Sequence, residues 1–152
     1  MIDPSKITDT MKPPEFRFNK HGEFLEFILP LTKYQEQYLL LKQKDNKQDS
    51  VHYYIINTDS TVIGRFDVGG SENVRGITYH IVEDFQNRGI GQITLQTVVE
   101  DIFSQNIDRI NILAVNERSA AIAMKAGFVQ KHNRHYILNF LDYQKRESSQ
   151  KN

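Results

Sequence analysis

The seven residues QNRGIGQ, at positions 86–92, combine an arginine with two glycines at the start of a helical pattern. The first backbone N–H groups of a helix lack intrahelical acceptors, and together with the helix dipole they attract anions. Gly89 and Gly91 carry no Cβ atom that would keep a phosphate at a distance, and the Arg88 guanidinium matches phosphate oxygens. The segment therefore predicts a phosphate site, although the glycines could equally serve only to make the turn.

Two familiar phosphate loops are excluded by the residues that follow the glycines. A P-loop has a lysine and then a hydroxyl residue after its last glycine, where this chain has Gln92 and Ile93. The dinucleotide-binding fingerprint requires a third glycine, where this chain has Thr94.

Two titratable residues lie upstream of the glycines. An unperturbed histidine titrates near pH ~6.5, so His80 is of the type that serves as a general base; the alternative is a strand histidine held by hydrogen bonds. Glu72 is the second candidate base, and its alternative is a solvated turn charge. His132 and His135 flank a turn without a third ligand at a suitable spacing, so no metal site is expected.

The composition limits the class of protein. The 152 residues suit one domain, and their zero formal net charge is no reason to expect nucleic acid or a membrane surface as a partner. The absence of cysteine excludes disulfides and thiolate chemistry, and no apolar run approaches the ~20 residues of a membrane span. We expect a cytoplasmic protein with a single domain over residues 1–152 and loose tails at 1–14 and 144–152.

The elements that must position these residues alternate along the chain. Strand patterns occupy residues 24–31, 51–57, 62–68, 76–82, 109–115, 128–131 and 135–141, and helical patterns occupy 33–44, 90–105 and 117–126. The run at 109–115 is almost continuously apolar, which is typical of a strand buried on both faces. The order predicts an α+β (mixed α/β) fold with a mostly antiparallel sheet and one parallel crossover.

Two segments together resemble the signatures of the GNAT superfamily of N-acetyltransferases. The first, residues 86–91, is similar to the family's Q/R-x-x-G-x-G/A motif. The second begins at Asn116 and Ser119 and ends with Lys-Ala-Gly-Phe at 125–128. These details are most similar to the branch that contains ribosomal-protein N-terminal acetyltransferases. The resemblance implies a GNAT-like fold, in which a splayed, mostly antiparallel mixed sheet of about six to seven strands is flanked by helices.

The resemblance also implies binding of acetyl-CoA. Backbone amides of the glycine loop would hold the pyrophosphate, which assigns this role to Arg88, Gly89, Ile90, Gly91 and Gln92, with Asn87 at the rim. Ile81 and Val82 would pair with the pantetheine arm, and one of their N–H groups would be the oxyanion donor. Asn116 would touch the arm from the far side, with Ser119 near the thioester. Asn116 could also serve only as a helix N-cap.

One position departs from the family pattern. Many members carry a tyrosine four residues before the glycine of the Gly-Phe pair, as the acid for the leaving thiolate, whereas this chain has Ala123 there. Ser119 and Tyr136 are the substitute candidates for the acid, and His80 and Glu72 remain the candidate bases.

The implied function is acetyl-CoA-dependent transfer of an acetyl group to a primary amine, either a small-molecule amine or a peptide or protein N-terminus. Because the tyrosine is missing, the alternative is a catalytically weak module that binds acetyl-CoA as a sensor or scaffold. A third alternative is an interaction domain whose glycines only shape a turn. Family members often form dimers, so a homodimer is also considered.

Overall fold

The computed structural model describes residues 24–29, 35–45, 50–59 and 61–150. These residues form eight strands and three α-helices. The strands are β1 (Phe24–Ile28), β2 (Leu39–Asp45), β3 (Ser50–Ile56), β4 (Val62–Ser71), β5 (Val74–Ile81), β6 (Arg109–Leu113), β7 (Val129–His132) and β8 (His135–Asn139). The helices are α1 (Ile90–Phe103), α2 (Glu117–Lys125) and α3 (Phe140–Gln150).

The chain divides into two compact units. The first comprises the described residues of Met1–Asp67 and Tyr79–Thr94, and the second those of Val68–Thr78 and Leu95–Asn152. In the first unit the strand order is β1-β2-β3-β4-β5, and β2 is antiparallel to both of its neighbours. The four residues 53–56 of β3 are at most 1% exposed, so this strand is covered on both faces.

The helix expected over residues 33–44 is wrong in its described part. Residues 35–38 have no regular secondary structure, and Leu39–Asp45 forms β2 between β1 and β3. Tyr38 and Leu41 fall at a helical spacing, but pairing with two neighbouring strands satisfies the backbone of β2 on both sides. This non-local pairing overrides the local pattern.

In the second unit the strand order is β4-β5-β6-β8-β7. β5 and β6 are parallel, whereas β8 is antiparallel to both β6 and β7. The mixed sheet with a parallel crossover is therefore confirmed, and α1 forms that crossover. The parallel ladder ends at Ile77 and Ile112, although β5 continues to Ile81.

One face of α1 is apolar and buried, since none of its five members is more than 5% exposed. The set consists of Leu95, Val98, Val99, Ile102 and Phe103. Within the described residues, no helix is both long enough and apolar enough to cross a bilayer.

Two expectations for the second unit are corrected. In β6, Ile110 and Ile112 are buried but Arg109 and Leu113 are exposed, so the strand is covered on one face rather than two. Residues 144–150, expected in a loose tail, continue α3, and the Tyr143 ring of this helix packs 4.8 Å from the Phe103 ring. The sequence did not predict this part of α3 because most of its residues are polar. A surface helix needs apolar residues only on the one face that packs against the protein.

Candidate functional site

The segment between β5 and α1 forms a tight loop in the first unit. A turn of 3-10 helix, Glu83–Phe85, follows β5, and Asn87 and Gly89 then take positive φ angles of 64° and 83°. Asparagine visits this conformation more readily than most residues, and glycine adopts it without steric cost. Among the described residues beyond its chain neighbours, no atom lies within 4 Å of the place where a Cβ on Gly89 would be. The space beside Gly89 is therefore open.

α1 begins directly after this loop. The N–H of Ile93 donates to the carbonyl of Gly89 at 3.1 Å, so the helical hydrogen bonds begin there. The amides of Ile90, Gly91 and Gln92 precede that bond and have no intrahelical acceptor. These amides, at the positive end of the helix dipole, are the donors from which the sequence predicted an anion site.

Two polar side chains near the start of α1 are buried without a hydrogen-bond partner in the described part of the chain. One is the amide group of Gln92, whose nitrogen and oxygen are both inaccessible to solvent, and the other is the Thr94 hydroxyl. A buried polar group without a partner destabilises the protein by about 1–3 kcal/mol. The Gln92 amide group and the Thr94 hydroxyl both follow the first amides of α1 in the sequence.

Arg88 is held by residues that the sequence analysis did not identify. Its Nη1 donates to Oε1 of Glu36 at 2.8 Å, and its guanidinium carbon lies 5.1 Å from the centroid of the Phe85 ring. The Tyr38 hydroxyl donates to the other carboxylate oxygen of Glu36. Burial, followed by the hydrogen bond to Glu36, raises the pKa of Tyr38 to about 12. The charge of Arg88 is thus partly neutralised by a residue 52 positions earlier in the chain.

Backbone hydrogen bonds show which way the donors of β5 point. The N–H of Val82 donates to the carbonyl of Ile63 on β4 at 2.9 Å, and the rings of Phe66 and Tyr79 stack across the same two strands at 4.8 Å. Because alternate residues of an antiparallel strand direct their N–H groups to opposite sides, those of Tyr79 and Ile81 point away from β4. The expectation of an oxyanion donor at Val82 is corrected, since that N–H is already bonded to β4.

The carbonyl of Ile81 is also engaged. It accepts a hydrogen bond from Nε2 of Gln86 at 2.7 Å, so the first residue of the glycine motif ties the loop back to β5. Because the Ile81 carbonyl already accepts this bond, we expect Ile81 to pair with a ligand through its N–H group.

Asn116 and Ser119 form the N-terminal cap of α2 in the second unit. Oδ1 of Asn116 accepts from the N–H of Ser119 at 2.8 Å. Oγ of Ser119 accepts from the N–H groups of Val115 and Asn116 at 3.0 and 3.1 Å, and it donates to the Asn116 carbonyl at 3.0 Å. The capping role of Asn116 is confirmed. Ser119 is buried, and its hydroxyl proton is already used inside the turn.

The other candidate catalytic residues occupy different positions. Tyr136 is buried on β8, opposite Ile112 of β6, and Ala123 is fully buried in α2. Glu72 is exposed in the turn that precedes β5, whereas His80 is exposed near the end of the same strand. Glu72 and His80 are therefore placed at opposite ends of β5.

The two histidines of the β7–β8 turn stack on each other. The ring centroids of His132 and His135 are 5.3 Å apart, and both residues are exposed. Over the described ranges, no group of three or more His, Cys, Asp or Glu side chains is arranged to hold a metal ion.

A polar cluster on β3 and β4 was missed by the sequence analysis. Nδ1 of His52 lies 2.5 Å from Oδ1 of Asp67, which also accepts from Nε of Arg65 at 2.7 Å. Nε2 of His52 lies 3.5 Å from Oγ of Ser50. Burial alone would raise the pKa of Asp67, but the hydrogen bonds from His52 and Arg65 hold it below its usual value. His52 and Asp67 are 15 positions apart on different strands, so no local pattern indicates their contact.

A family model described as an acetyltransferase (GNAT) domain matches residues 8–129. No curated protein sequence matches this chain.

Several solved structures are similar in fold. An aminoglycoside acetyltransferase in complex with coenzyme A is 16% identical, with a TM-score of 0.57 over 66% of this chain and 72% of that chain. The ribosomal-protein-S5-alanine acetyltransferase from Vibrio fischeri is 18% identical, with a TM-score of 0.53 over 58% and 59% of the two chains. A cAMP-binding acyltransferase from Mycobacterium smegmatis is 12% identical, with a TM-score of 0.64 over 84% and 54%. At these identities the similarity establishes the fold.

Proposed function

Because the chain belongs to the GNAT acetyltransferase family, we propose that it transfers the acetyl group of acetyl-CoA to a primary amine. The observation that carries this proposal is the loop before α1. There the open space beside Gly89, the helix-start amides and the buried amide group of Gln92 occur together. A structure of similar fold contains coenzyme A. When bound, acetyl-CoA supplies a thioester that reacts with amines.

The glycine loop and the start of α1 would hold the pyrophosphate. The amides of Ile90, Gly91 and Gln92 would donate to its oxygens, and the missing Cβ of Gly89 leaves room for them. Asn87 would lie at the rim. Arg88 would contribute its charge, which the ion pair with Glu36 partly neutralises.

β5 and α2 would contact the pantetheine arm and the reacting carbonyl. The N–H of Ile81 points away from β4, so it is our preferred donor to the carbonyl oxygen, and the N–H of Tyr79 points to the same side. Asn116 would contact the arm from the start of α2. Ser119 would act by orienting Asn116, because its own proton is bonded within the cap. Tyr136 is then the remaining candidate acid.

His80 is preferred to Glu72 as the base among the residues predicted from the sequence. His80 is adjacent to Ile81 in β5, whereas Glu72 lies beyond the other end of that strand. A base must reach the reacting nitrogen directly or through one water, and position along the strand therefore favours His80.

The acceptor class is an amine on a small molecule or a peptide or protein N-terminus. The signature at 116–128 favours the second, through its resemblance to the ribosomal-protein branch. The similar structures include one enzyme named for aminoglycosides and one named for a ribosomal protein, so the fold accommodates both kinds of acceptor. Two observations favour the alternative of a binding module: Ala123 fills the tyrosine position, and the Ser119 proton is engaged.

Binding is tested by thermal unfolding with coenzyme A. At a ligand concentration of ~100 Kd the native state gains about 2.7 kcal/mol, which raises the Tm by roughly 5–10 °C for a domain of this size. In Gly89→Trp the side chain occupies the open space, and we expect the shift to disappear. Gly69→Trp, at a β4 glycine that has open surroundings but no positive φ, is the control for added bulk and should keep the shift. No shift in the unmodified protein would overturn the proposal.

Transfer is tested by the release of free thiol from acetyl-CoA with a panel of small amines and peptides. Thiol release that requires an amine, with the acetylated product seen by mass spectrometry, supports the enzyme. A normal thermal shift without turnover on any acceptor supports the binding module instead.

A further inference from the structure

The turn between β7 and β8 carries an unbalanced charge. From Arg118 to Leu141 the chain has four lysines and arginines but no aspartate or glutamate, although the two kinds of charge are equal in number over the whole sequence. Two of the four lie in this turn together with two histidines. We call this set the basic turn, and it consists of Lys131, His132, Arg134 and His135. It has no role in the function proposed above.

The charges of the basic turn face solvent. All four members are exposed, as is Asn133 between them, whose φ of 50° closes the turn. Neither Lys131 nor Arg134 forms an ion pair with any residue that the structure describes. Glu117, the acid at the start of α2, is exposed and pairs with neither of them. Both positive charges are therefore available to an anion from outside the chain.

The basic turn adjoins the start of α2 within the second unit. The N–H of Ala114 donates to the carbonyl of Arg134 at 2.9 Å, so the turn pairs with the chain that leaves β6. Two residues after Ala114 comes Asn116, which we propose to contact the pantetheine arm. Neighbouring strands are about 4.8 Å apart. The backbone of the basic turn thus lies one strand away from the chain that leads into Asn116.

Exposed apolar side chains share one face of the sheet with the two histidines. His135 is opposite both Leu113 on β6 and His132 on β7, and directly opposite residues project from the same face. Val129 joins them through its partner Ile137, which is two residues from His135. Leu113 and Val129 are 50% and 58% exposed. This surface therefore offers apolar contact beside its positive charge.

We propose that the basic turn selects an acceptor whose N-terminal amine is followed by acidic residues. The acceptor is then a peptide or protein N-terminus, and this inference rests on the proposed function. Carboxylates would bond the Arg134 guanidinium and the Lys131 ammonium, and the histidine N–H groups are further donors. An extended peptide advances about 3.3 Å per residue. Acids at the second to fourth residues would therefore span the short distance from the amine to the turn.

The same surface favours a peptide over a nucleic acid as the partner. Nucleic-acid binding commonly draws on about 6–10 phosphate contacts, whereas the basic turn holds two permanent charges, Lys131 and Arg134. The exposed Leu113 and Val129 suit the apolar side chains of a peptide, and a phosphate backbone offers no such groups.

The test measures kcat/KM for three acceptor peptides that differ only at the second to fourth residues, which are glutamate, glutamine or lysine. For the unmodified protein at low salt we expect the glutamate peptide to exceed the glutamine peptide about fivefold, mainly through a lower KM. The lysine peptide should be the poorest. Exposed ion pairs are weak and are screened by salt, so the preference should shrink at high salt.

Variants of the two permanent charges assign this preference to the turn. Lys131→Gln combined with Arg134→Gln should abolish the preference for glutamate, while the glutamine-peptide rate and the coenzyme A thermal shift stay unchanged. Lys131→Glu combined with Arg134→Glu should prefer the lysine peptide. Lys145→Gln, at an exposed lysine of α3, is the control and should keep the preference of the unmodified protein.

A readout independent of turnover is peptide binding followed by amide NMR on the protein saturated with coenzyme A. The glutamate peptide should shift the amide signals of residues 131–135 in the unmodified protein. It should leave them unmoved in the double variant with glutamine at both positions.

Four results would overturn the inference, and each is distinguishable. Equal kcat/KM for the three peptides, or a glutamate preference that survives in the double glutamine variant, would remove the basic turn and leave the proposed function intact. Transfer to small amines but to no peptide would do the same. Tighter binding of an RNA oligonucleotide than of the glutamate peptide, lost in the double variant, would assign the turn to nucleic acid. Absence of a coenzyme A shift or of any transfer would remove the proposed function together with this role.

Discussion

Hydrogen bonds at the start of α2 engage both the hydroxyl and the N–H of Ser119, and this argues against a role for Ser119 as the acid. Its Oγ receives two backbone N–H groups and gives its proton to the Asn116 carbonyl, while its own N–H is bonded by the Asn116 side chain. A hydroxyl in this state has no proton ready for a leaving thiolate. Its contribution is to fix the start of α2, and through it the Asn116 side chain.

The substitution Ser119→Ala tests whether Ser119 serves to fix the start of α2. It leaves the N–H groups of Val115 and Asn116 without their acceptor, and we expect a loss of about 1–3 kcal/mol in the free energy of unfolding. Urea denaturation measures it, with the exposed Ser148→Ala in α3 as the control, which should change by less than ~0.5 kcal/mol. A stable Ser119→Ala protein that cannot turn over would instead favour an acid role.

Glu36 and Arg88 set the charge beside the glycine loop. Glu36→Gln removes the carboxylate and frees the Arg88 guanidinium to face a phosphate. We expect coenzyme A to bind roughly two- to fivefold more tightly at low salt, and the gain to shrink at high salt because exposed charges are screened. Calorimetry at two salt concentrations measures this.

Glu83→Gln is the matched control for that change, since it alters the same net charge beside the same loop without touching the Arg88 pair. Weaker binding in Glu36→Gln would show that Glu36 acts by holding the loop rather than by restraining Arg88.

At the scale of elements, α2 and α3 are joined where α2 ends. Nη2 of Arg146 on α3 donates to the carbonyl of Lys125, the last residue of α2, at 2.6 Å. Gly127 has a φ of 98°, and a Cβ there would collide with the Arg146 guanidinium. The glycine that closes the second signature is thus required by its backbone conformation, and the Arg146 side chain packs against it.

Gly127→Ala should therefore destabilise the protein by at least about 1–2 kcal/mol, the usual cost of a left-handed alanine. In the double variant with Arg146→Ala the effects should be less than additive, because the collision is removed. Gly76→Ala, on β5 with open surroundings, is the control and should be neutral or stabilising. Full additivity in the double variant would mean that Arg146 moves aside freely.

At the scale of the whole molecule, charge balance governs behaviour in solution. Lysine and arginine together number 19, as do aspartate and glutamate, and the isoelectric point is about 7.0. Molecules that carry a net charge repel one another and stay in solution. Because the net charge is close to zero near pH 7, we expect solubility in a precipitant series to be lowest there and to rise at pH 5.5 and pH 8.5. A solubility that is constant across this range would contradict the expectation.

The parts of the fold that could be predicted from the sequence are those with local causes. The turn at Gly89 and the end of α2 at Gly127 both need a positive φ, and the cap at Asn116 needs a side-chain acceptor, so residue type alone indicates them. β2 could not be predicted, because its state depends on partners on two other strands. The pairs Arg88–Glu36 and His52–Asp67 join distant positions, and only the folded chain brings them together.

The opposite directions of the Ile81 amide, at the end of β5, and of the Val82 amide, which follows it, have a consequence for amide hydrogen exchange. The N–H of Val82 is bonded to the Ile63 carbonyl, so we expect its exchange to be slow both with and without coenzyme A. The N–H of Ile81 points away from β4, and we expect its exchange to slow markedly once coenzyme A pairs with it. Measured residue by residue, the exchange rate of the Ile81 amide would report coenzyme A binding. The exchange rate of the Val82 amide, which should not change, would serve as the reference. Equal protection of both amides in the free protein would contradict this arrangement.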